Sequence, residues 1–317
     1  MIRYLTELSV EAFTDAACSV PYQQIHSELF PDIDLWIRRD DLIDPLISGN
    51  KAYKLLYNLL QAREQSAGTI VTCGGAWSNH IHATAAAGQR FGLRTIGIIR
   101  GERPPVLSAM LQDAERFGME LRFVSRNVYR ARNEPGFLNA AGIKGGQFLY
   151  VPEGGANEFG ARGVRLLAHT IAQTQPVVFD ECWLACGTGL TLGALGSGAL
   201  SACRLVGVAV LNAAEAIDRE ARRWSRALGA PTVLMETIGD AHCGGYARSP
   251  EYLRQFVRSF ELSIGIQLDP IYTAKLAYAL HSRATNKQYS CSGRVLMLHT
   301  GGIQGLRGRY TAGTPNS

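Results

Sequence analysis

The stretch VVFDECWLACGTGLTLGAL (Val177–Leu195) decides the fold. Val177–Leu184 has the length of a strand and is apolar apart from Asp180-Glu181. Cys186-Gly187-Thr188-Gly189 breaks it, and Leu190-Thr191-Leu192 opens an apolar helix. A strand feeding a glycine-rich turn and then a helix is half of a βαβ unit. Working outward, the same order recurs. Leu35–Arg38 is a short strand, followed by the loop Asp40–Asn50. Ala52, Leu55, Leu56, Leu59 and Leu60 then fall on one helical face. Gly68–Thr72, Thr95–Ile99, Leu121–Val124, Phe148–Val151, Leu205–Val210 and Val295–Leu298 read as further strands. Helices are expected over Ile81–Arg90, around Val106–Ala114 and through Val164–Ile171. Arg126–Gly146 reads as loose. Strands alternating with helices mean parallel sheet, an α/β class, and the strands suffice for two open sheets.

The bulk composition is that of an ordinary globular protein. The chain has 317 residues, 46% apolar and 19% charged, with a formal net charge of +5. That length allows two domains. The basic residues form no stripe, and Arg219-Glu220-Ala221-Arg222-Arg223 reads as a solvated helix face, so nucleic acid is not an expected partner. No run reaches the roughly 18 apolar residues of a membrane span. The seven cysteines are scattered without a C-x-x-C pair, as expected of reduced thiols in a cytoplasmic protein.

Open parallel sheets bind ligands at the carboxyl ends of their strands. Four loops there carry suitable residues: Ser48-Gly49-Asn50-Lys51, Gly74-Gly75-Ala76-Trp77-Ser78-Asn79-His80, Cys186–Thr191, and His299-Thr300-Gly301-Gly302. The third offers amides, two hydroxyls and a helix start to a phosphate. It has no Walker lysine, which disfavours a nucleoside triphosphate. Each loop has a plainer reading: a tight turn for Gly187–Gly189, a solvated lysine at a helix start for Lys51, a helix cap for Ser78-Asn79.

Taken together and in order, these motifs resemble the fold-type II pyridoxal phosphate (PLP) enzymes, which share the architecture of the tryptophan synthase β chain. Within that class the resemblance is to the aminocyclopropane-carboxylate (ACC) deaminase and D-cysteine desulfhydrase family. Trp36-Ile37-Arg38-Arg39-Asp40-Asp41-Leu42, Gly49-Asn50-Lys51, Ser78-Asn79-His80, Pro152-Glu153-Gly154-Gly155, the Gly-Thr-Gly loop, Leu268-Asp269-Pro270-Ile271-Tyr272-Thr273 and His299–Gly302 carry it.

The resemblance implies two three-layer domains with the cofactor in the cleft: a large one over 1–53 and 161–317, a small one over 54–160. It implies a Schiff base on Lys51, with the same amine later moving the substrate's α-proton. Asn50 and Asn79 would contact the cofactor, Asn79 at its ring hydroxyl. Cys186, Gly187, Thr188, Gly189, Leu190 and Thr191 would cradle the phosphate. Ser78, Asn79 and His80 would meet the substrate, and Tyr246 and Tyr272 would close the pocket over it. Thr273 or Thr300 would face the pyridine nitrogen. A small amino-acid substrate, a homodimer, and no metal or membrane complete the implication.

The chain departs from the family pattern in carrying Leu190 where a glycine is usual, and Ala52-Tyr53 where threonine or arginine often stands. A neutral hydroxyl at the ring nitrogen cannot hold a pyridinium as the glutamate of ACC deaminases does, and His80 replaces their glutamine. Both favour β-elimination of the D-cysteine desulfhydrase type over cyclopropane opening. A PLP-binding protein without turnover is disfavoured by the intact Lys51, Ser78 and tyrosines. A doubly wound domain without cofactor would leave four coincident loop motifs unexplained.

Overall fold

The computed structural model describes residues 4–197, 200, 203–230, 234–245, 248–286 and 293–308. In chain order the strands are β1 (Tyr22–Ile25), β2 (Asp34–Arg38), β3 (Thr69–Gly74), β4 (Arg94–Arg100), β5 (Glu120–Val124), β6 (Phe148–Val151), β7 (Glu181–Cys186), β8 (Arg204–Ala209), β9 (Met235–Ile238) and β10 (Arg294–Leu298). The α-helices are α1 (Val10–Cys18), α2 (Asn50–Glu64), α3 (Asn79–Phe91), α4 (Ala109–Arg116), α5 (Arg126–Arg130), α6 (Phe137–Ala140), α7 (Glu158–Thr174), α8 (Leu190–Leu195), α9 (Ala214–Ala227), α10 (Glu251–Ile264) and α11 (Thr273–Thr285).

Two sheets result, as the alternation predicts. One runs β1-β2-β10-β7-β8-β9, parallel except for the β1–β2 pair; the other runs β5-β4-β3-β6, parallel throughout. Every strand of the smaller sheet lies between residues 69 and 151. The expected boundaries at 53/54 and 160/161 fall inside α2 and α7. These two helices pack face to face, so closely that a Cβ on Gly163 would stand 1.8 Å from the Tyr53 carbonyl oxygen. The chain thus passes between sheets along paired helices rather than through a loop.

Register places the ligand-bearing ends together. Leu298 pairs with Arg38 and Met297 with Trp183, so β2, β10 and β7 finish side by side. The loop after β2 is drawn onto the loop after β10 by Gly49, whose φ is 65° and whose Cβ would lie 1.9 Å from the Thr300 carbonyl oxygen. Only glycine fits there.

Three local readings change. The strand expected at Val177–Leu184 begins instead at Glu181 and runs to Cys186, because pairing with β8 and β10 starts there while Val178 stays exposed. Arg126–Gly146 is not entirely loose and contains the short helices α5 and α6. The edge strands β1 and β9 lack the apolar runs that revealed the central ones. Among the described residues no helix is long and apolar enough to cross a membrane.

Candidate active site

The four loops singled out by their sequence converge on one cavity of about 1160 Å³. Asn50 and Lys51 reach it from the start of α2. Gly75, Ser78, Asn79 and His80 reach it from the turn into α3, and Cys186, Gly187, Thr188, Gly189 and Thr191 from the turn into α8. Thr300 reaches it from the end of β10, and Tyr272 from the residue preceding α11.

Lys51 holds an amine prepared for covalent chemistry. Its Nζ donates to Asn50 Oδ1 at 3.2 Å. Burial pulls its pKa down to about 8, against the opposing attraction of the Asp269 carboxylate. A lowered pKa raises the neutral, nucleophilic fraction. Asn50 in turn donates from Nδ2 to Thr191 Oγ1 at 3.3 Å, tying the lysine's neighbour to the glycine-rich loop.

Lys54 is a cavity residue that the sequence motifs do not single out. Lys54, one turn along α2 from Lys51, is 2% exposed and lines the cavity. Burial first, then the charge of Lys51, hold its pKa well below the ordinary lysine value. Among the described residues no carboxylate lies within ion-pair distance of it. The available signal was its three-residue spacing from Lys51, which puts both on one side of the helix.

These features fit PLP. A buried amine whose charged form has no counter-ion calls for an anion, and a phosphate beside Lys54 and the two threonine hydroxyls would stabilise that charged form. Gly187 leaves open the gap that a side chain would fill: a Cβ there would already be 3.5 Å from the Tyr272 ring. Gly189, at φ 75°, cannot be replaced, since its Cβ would lie 2.5 Å from the Ile217 carbonyl oxygen on α9.

The remaining expected residues divide. Ser78 lines the cavity and also caps α3, its Oγ accepting from Ile81 N–H at 3.3 Å. Leu190 does not line the cavity; its side chain is wholly buried in the core between sheet and helices, which is what an apolar residue at the first turn of α8 can do. Thr273 is also displaced from the expected place. Its hydroxyl closes the turn ahead of α11, accepting from Asp269 N–H at 2.7 Å and donating to Asp269 O at 3.3 Å. It is fully buried and absent from the cavity wall, whereas Thr300 stands on that wall. Tyr246 lies outside the described residues.

Thr191→Val keeps the shape of α8 but removes the hydroxyl that faces Asn50. A hydrogen bond to a charged group is worth ~1.5–3 kcal/mol, so cofactor retention on dialysis should weaken roughly ten-fold or more. Unchanged retention would place the phosphate elsewhere.

The comparisons with known proteins agree with this geometry. The model of the family "Pyridoxal-phosphate dependent enzyme" matches residues 20–301. The chain is 28% identical to the mitochondrial bifunctional D-cysteine desulfhydrase/1-aminocyclopropane-1-carboxylate deaminase of Arabidopsis thaliana, over 96% of this chain and 81% of that one. It is 32% identical to a putative 1-aminocyclopropane-1-carboxylate deaminase of Thermotoga maritima, over 86% and 90% of the two chains. A crystal structure of an ACC deaminase homologue superposes with a TM-score of 0.78 at 29% identity, covering 92% of this chain and 91% of that one.

Proposed function

The chain belongs to the family of pyridoxal-phosphate dependent enzymes, and from that premise we propose that it is a lyase of the D-cysteine desulfhydrase type. The reaction removes the β-substituent of a small D-amino acid, giving pyruvate, ammonia and, from cysteine, sulfide.

Bound in the cavity, PLP supplies an electron sink for the bonds at the substrate's α-carbon. Lys51 is the residue that would hold it covalently. The same Nζ, when not engaged with the cofactor, would take the substrate's α-proton, and a pKa of about 8 leaves part of the amine neutral at physiological pH. Lys54, Thr188 and Thr191 would bind the phosphate. Ser78 spends a lone pair on capping α3 but keeps its O–H to donate to the substrate carboxylate. Asn79 orients the ring, and Tyr272, across from Gly187, covers the substrate.

The observation that carries the reaction type is Thr300. It brings a neutral hydroxyl to the cavity wall, where the family resemblance would set it against the cofactor's ring nitrogen. Of the carboxylates lining the cavity, Glu153 and Glu220 are paired with Arg132 and Arg223, and Glu134 is on the exposed rim. Without an anion at the ring nitrogen, prolonged accumulation of negative charge is disfavoured, while prompt loss of a β-substituent is not. Cyclopropane opening, which deamination of ACC would require, lacks that prompt exit. We further read the protein as cytoplasmic, since the six described cysteines are free thiols, and as a homodimer on the family resemblance.

The test is a substrate panel. Pyruvate should be released from D-cysteine and β-chloro-D-alanine, and little or no 2-oxobutanoate from ACC. Faster opening of ACC than elimination from either cysteine enantiomer would refute the reaction type and leave the cofactor assignment standing.

A further inference from the structure

His80 is 1% exposed, lines the cavity, and sits in a hydrogen-bond chain that fixes where its proton is. Its Nε2 is 2.9 Å from Thr72 Oγ1, and Thr72 Oγ1 is 2.8 Å from the Val151 carbonyl oxygen, across the β3–β6 pairing. A hydroxyl has one proton to give. The carbonyl can only accept, so Thr72 donates to Val151, and His80 must donate from Nε2 to Thr72. In the neutral ring Nδ1 then carries no proton. That atom is buried and has no hydrogen-bond partner.

Burial, then the charges of Lys51 and Lys54, keep this ring's pKa well below the ordinary histidine value, so it stays neutral. A cavity histidine held in this state offers a lone pair and no N–H. It cannot donate to a substrate carboxylate, as the amide of a glutamine in its place could.

A small β-substituted amino acid has three polar groups. The carboxylate only accepts, and the amino group is engaged in the covalent link to the cofactor. The β-substituent remains, and a thiol or hydroxyl there can donate. Resting on the lyase reading above, we propose that His80 is a specificity-determining residue whose Nδ1 accepts a hydrogen bond from a β-thiol or β-hydroxyl of the substrate. Thr72 is its positioning residue. No proton is transferred in this contact; it turns the leaving atom to a fixed direction and favours substrates with a β-donor over ACC, whose ring carbons have none.

Two measurements test this. In holoenzyme labelled with ¹⁵N-histidine, two-bond ¹H–¹⁵N correlations should show His80 protonated at Nε2; a proton on Nδ1 overturns the proposal. Spectral titration of the cofactor should show serine binding more tightly than alanine of the same hand. A neutral hydrogen bond nets ~0.5–1.5 kcal/mol, so the ratio should be roughly three- to ten-fold.

In His80→Leu that ratio should collapse to near one, and the loss of kcat/KM for D-cysteine should exceed that for β-chloro-D-alanine. Thr72→Val, nearly isosteric, should also erase the serine preference and decides the matter if His80→Leu fails to fold. Equal affinities for serine and alanine in the wild type, or a ratio preserved in the variants, overturn the proposal. Failure of the wild type to eliminate from D-cysteine would instead refute the lyase reading, since the binding ratio and the tautomer are measured without turnover.

Discussion

Lys51→Ala protein should bind PLP only reversibly and lose turnover by ~10³-fold or more, the scale of removing a positioned acid–base group. Among the described residues two buried amines stand as rivals, Lys54 and Lys275. Lys275 spends its Nζ on the carbonyl oxygens of Val210 and Gly245, at 3.1 and 2.6 Å, which holds it away from a carbonyl carbon. Lys54 faces the cavity, but the phosphate reading assigns it to the anion. Borohydride reduction of the holoenzyme followed by peptide mapping should therefore place the label on residue 51; a label on residue 54 would reverse the roles of the two lysines.

The same reading fixes a pH dependence. Attack requires the neutral amine, so covalent uptake of cofactor by apoprotein should rise with pH through about 8 and then level off. An ordinary lysine would continue to gain up to ~10.4. Because the Asp269 carboxylate raises the Lys51 pKa, Asp269→Asn should move the midpoint down. A midpoint unmoved, or moved up, would show that Asp269 does not act on the amine.

Lys54→Met should weaken cofactor binding by roughly ten- to hundred-fold, the effect of losing one charge-assisted contact of ~1.5–3 kcal/mol. It should also make the apoprotein more stable. The native lysine is 2% exposed with no carboxylate beside it, and burial disfavours its charged form. Methionine fills a similar volume without that penalty. Thermal unfolding of apo and holo forms, with cofactor titration, reads both effects. A variant with native affinity would remove Lys54 from the phosphate site, and a less stable apoprotein would show that its charge is compensated.

These opposed effects explain why Lys54 was hard to read from sequence. In the helix pattern it sits among Tyr53, Leu55, Leu56 and Asn58 and looks like a charge on the outer face of an amphipathic helix. In the structure α2 has no outer face along this stretch: Tyr53, Lys54, Leu55, Leu56, Asn58 and Leu59 are all buried. The helix lies between the sheets against α7. Periodicity assumes one wet side, and that assumption fails for a helix enclosed by its neighbours.

Thr273 and Thr300 show a related limit. Both stand in motifs with a family counterpart, and composition cannot say which hydroxyl faces the cavity. Asp269 decides it. Its Oδ1 accepts from Tyr272 N–H at 2.6 Å and Thr273 N–H at 2.9 Å, and this turn carries Tyr272 to the cavity while folding Thr273 inward. The choice depends on a side chain four residues away and on the direction in which α11 leaves the turn.

The sequence by itself determined the α/β class, the alternation that makes parallel sheets, and the four loops bearing Lys51, Ser78-Asn79, Gly187–Thr191 and Thr300. These are local properties: apolar period, glycine where a turn is tight, hydroxyls at a helix start. Only the tertiary structure decided that these loops share one cavity, that Lys54 lines it while Leu190 and Thr273 do not, and that Nδ1 of His80 is buried without a hydrogen-bond partner. Each of these follows from contacts between segments far apart in the chain, such as Gly49 against Thr300, α2 against α7, and Thr72 against Val151. No local pattern encodes them, because they are set by which surfaces meet when the sheets pack.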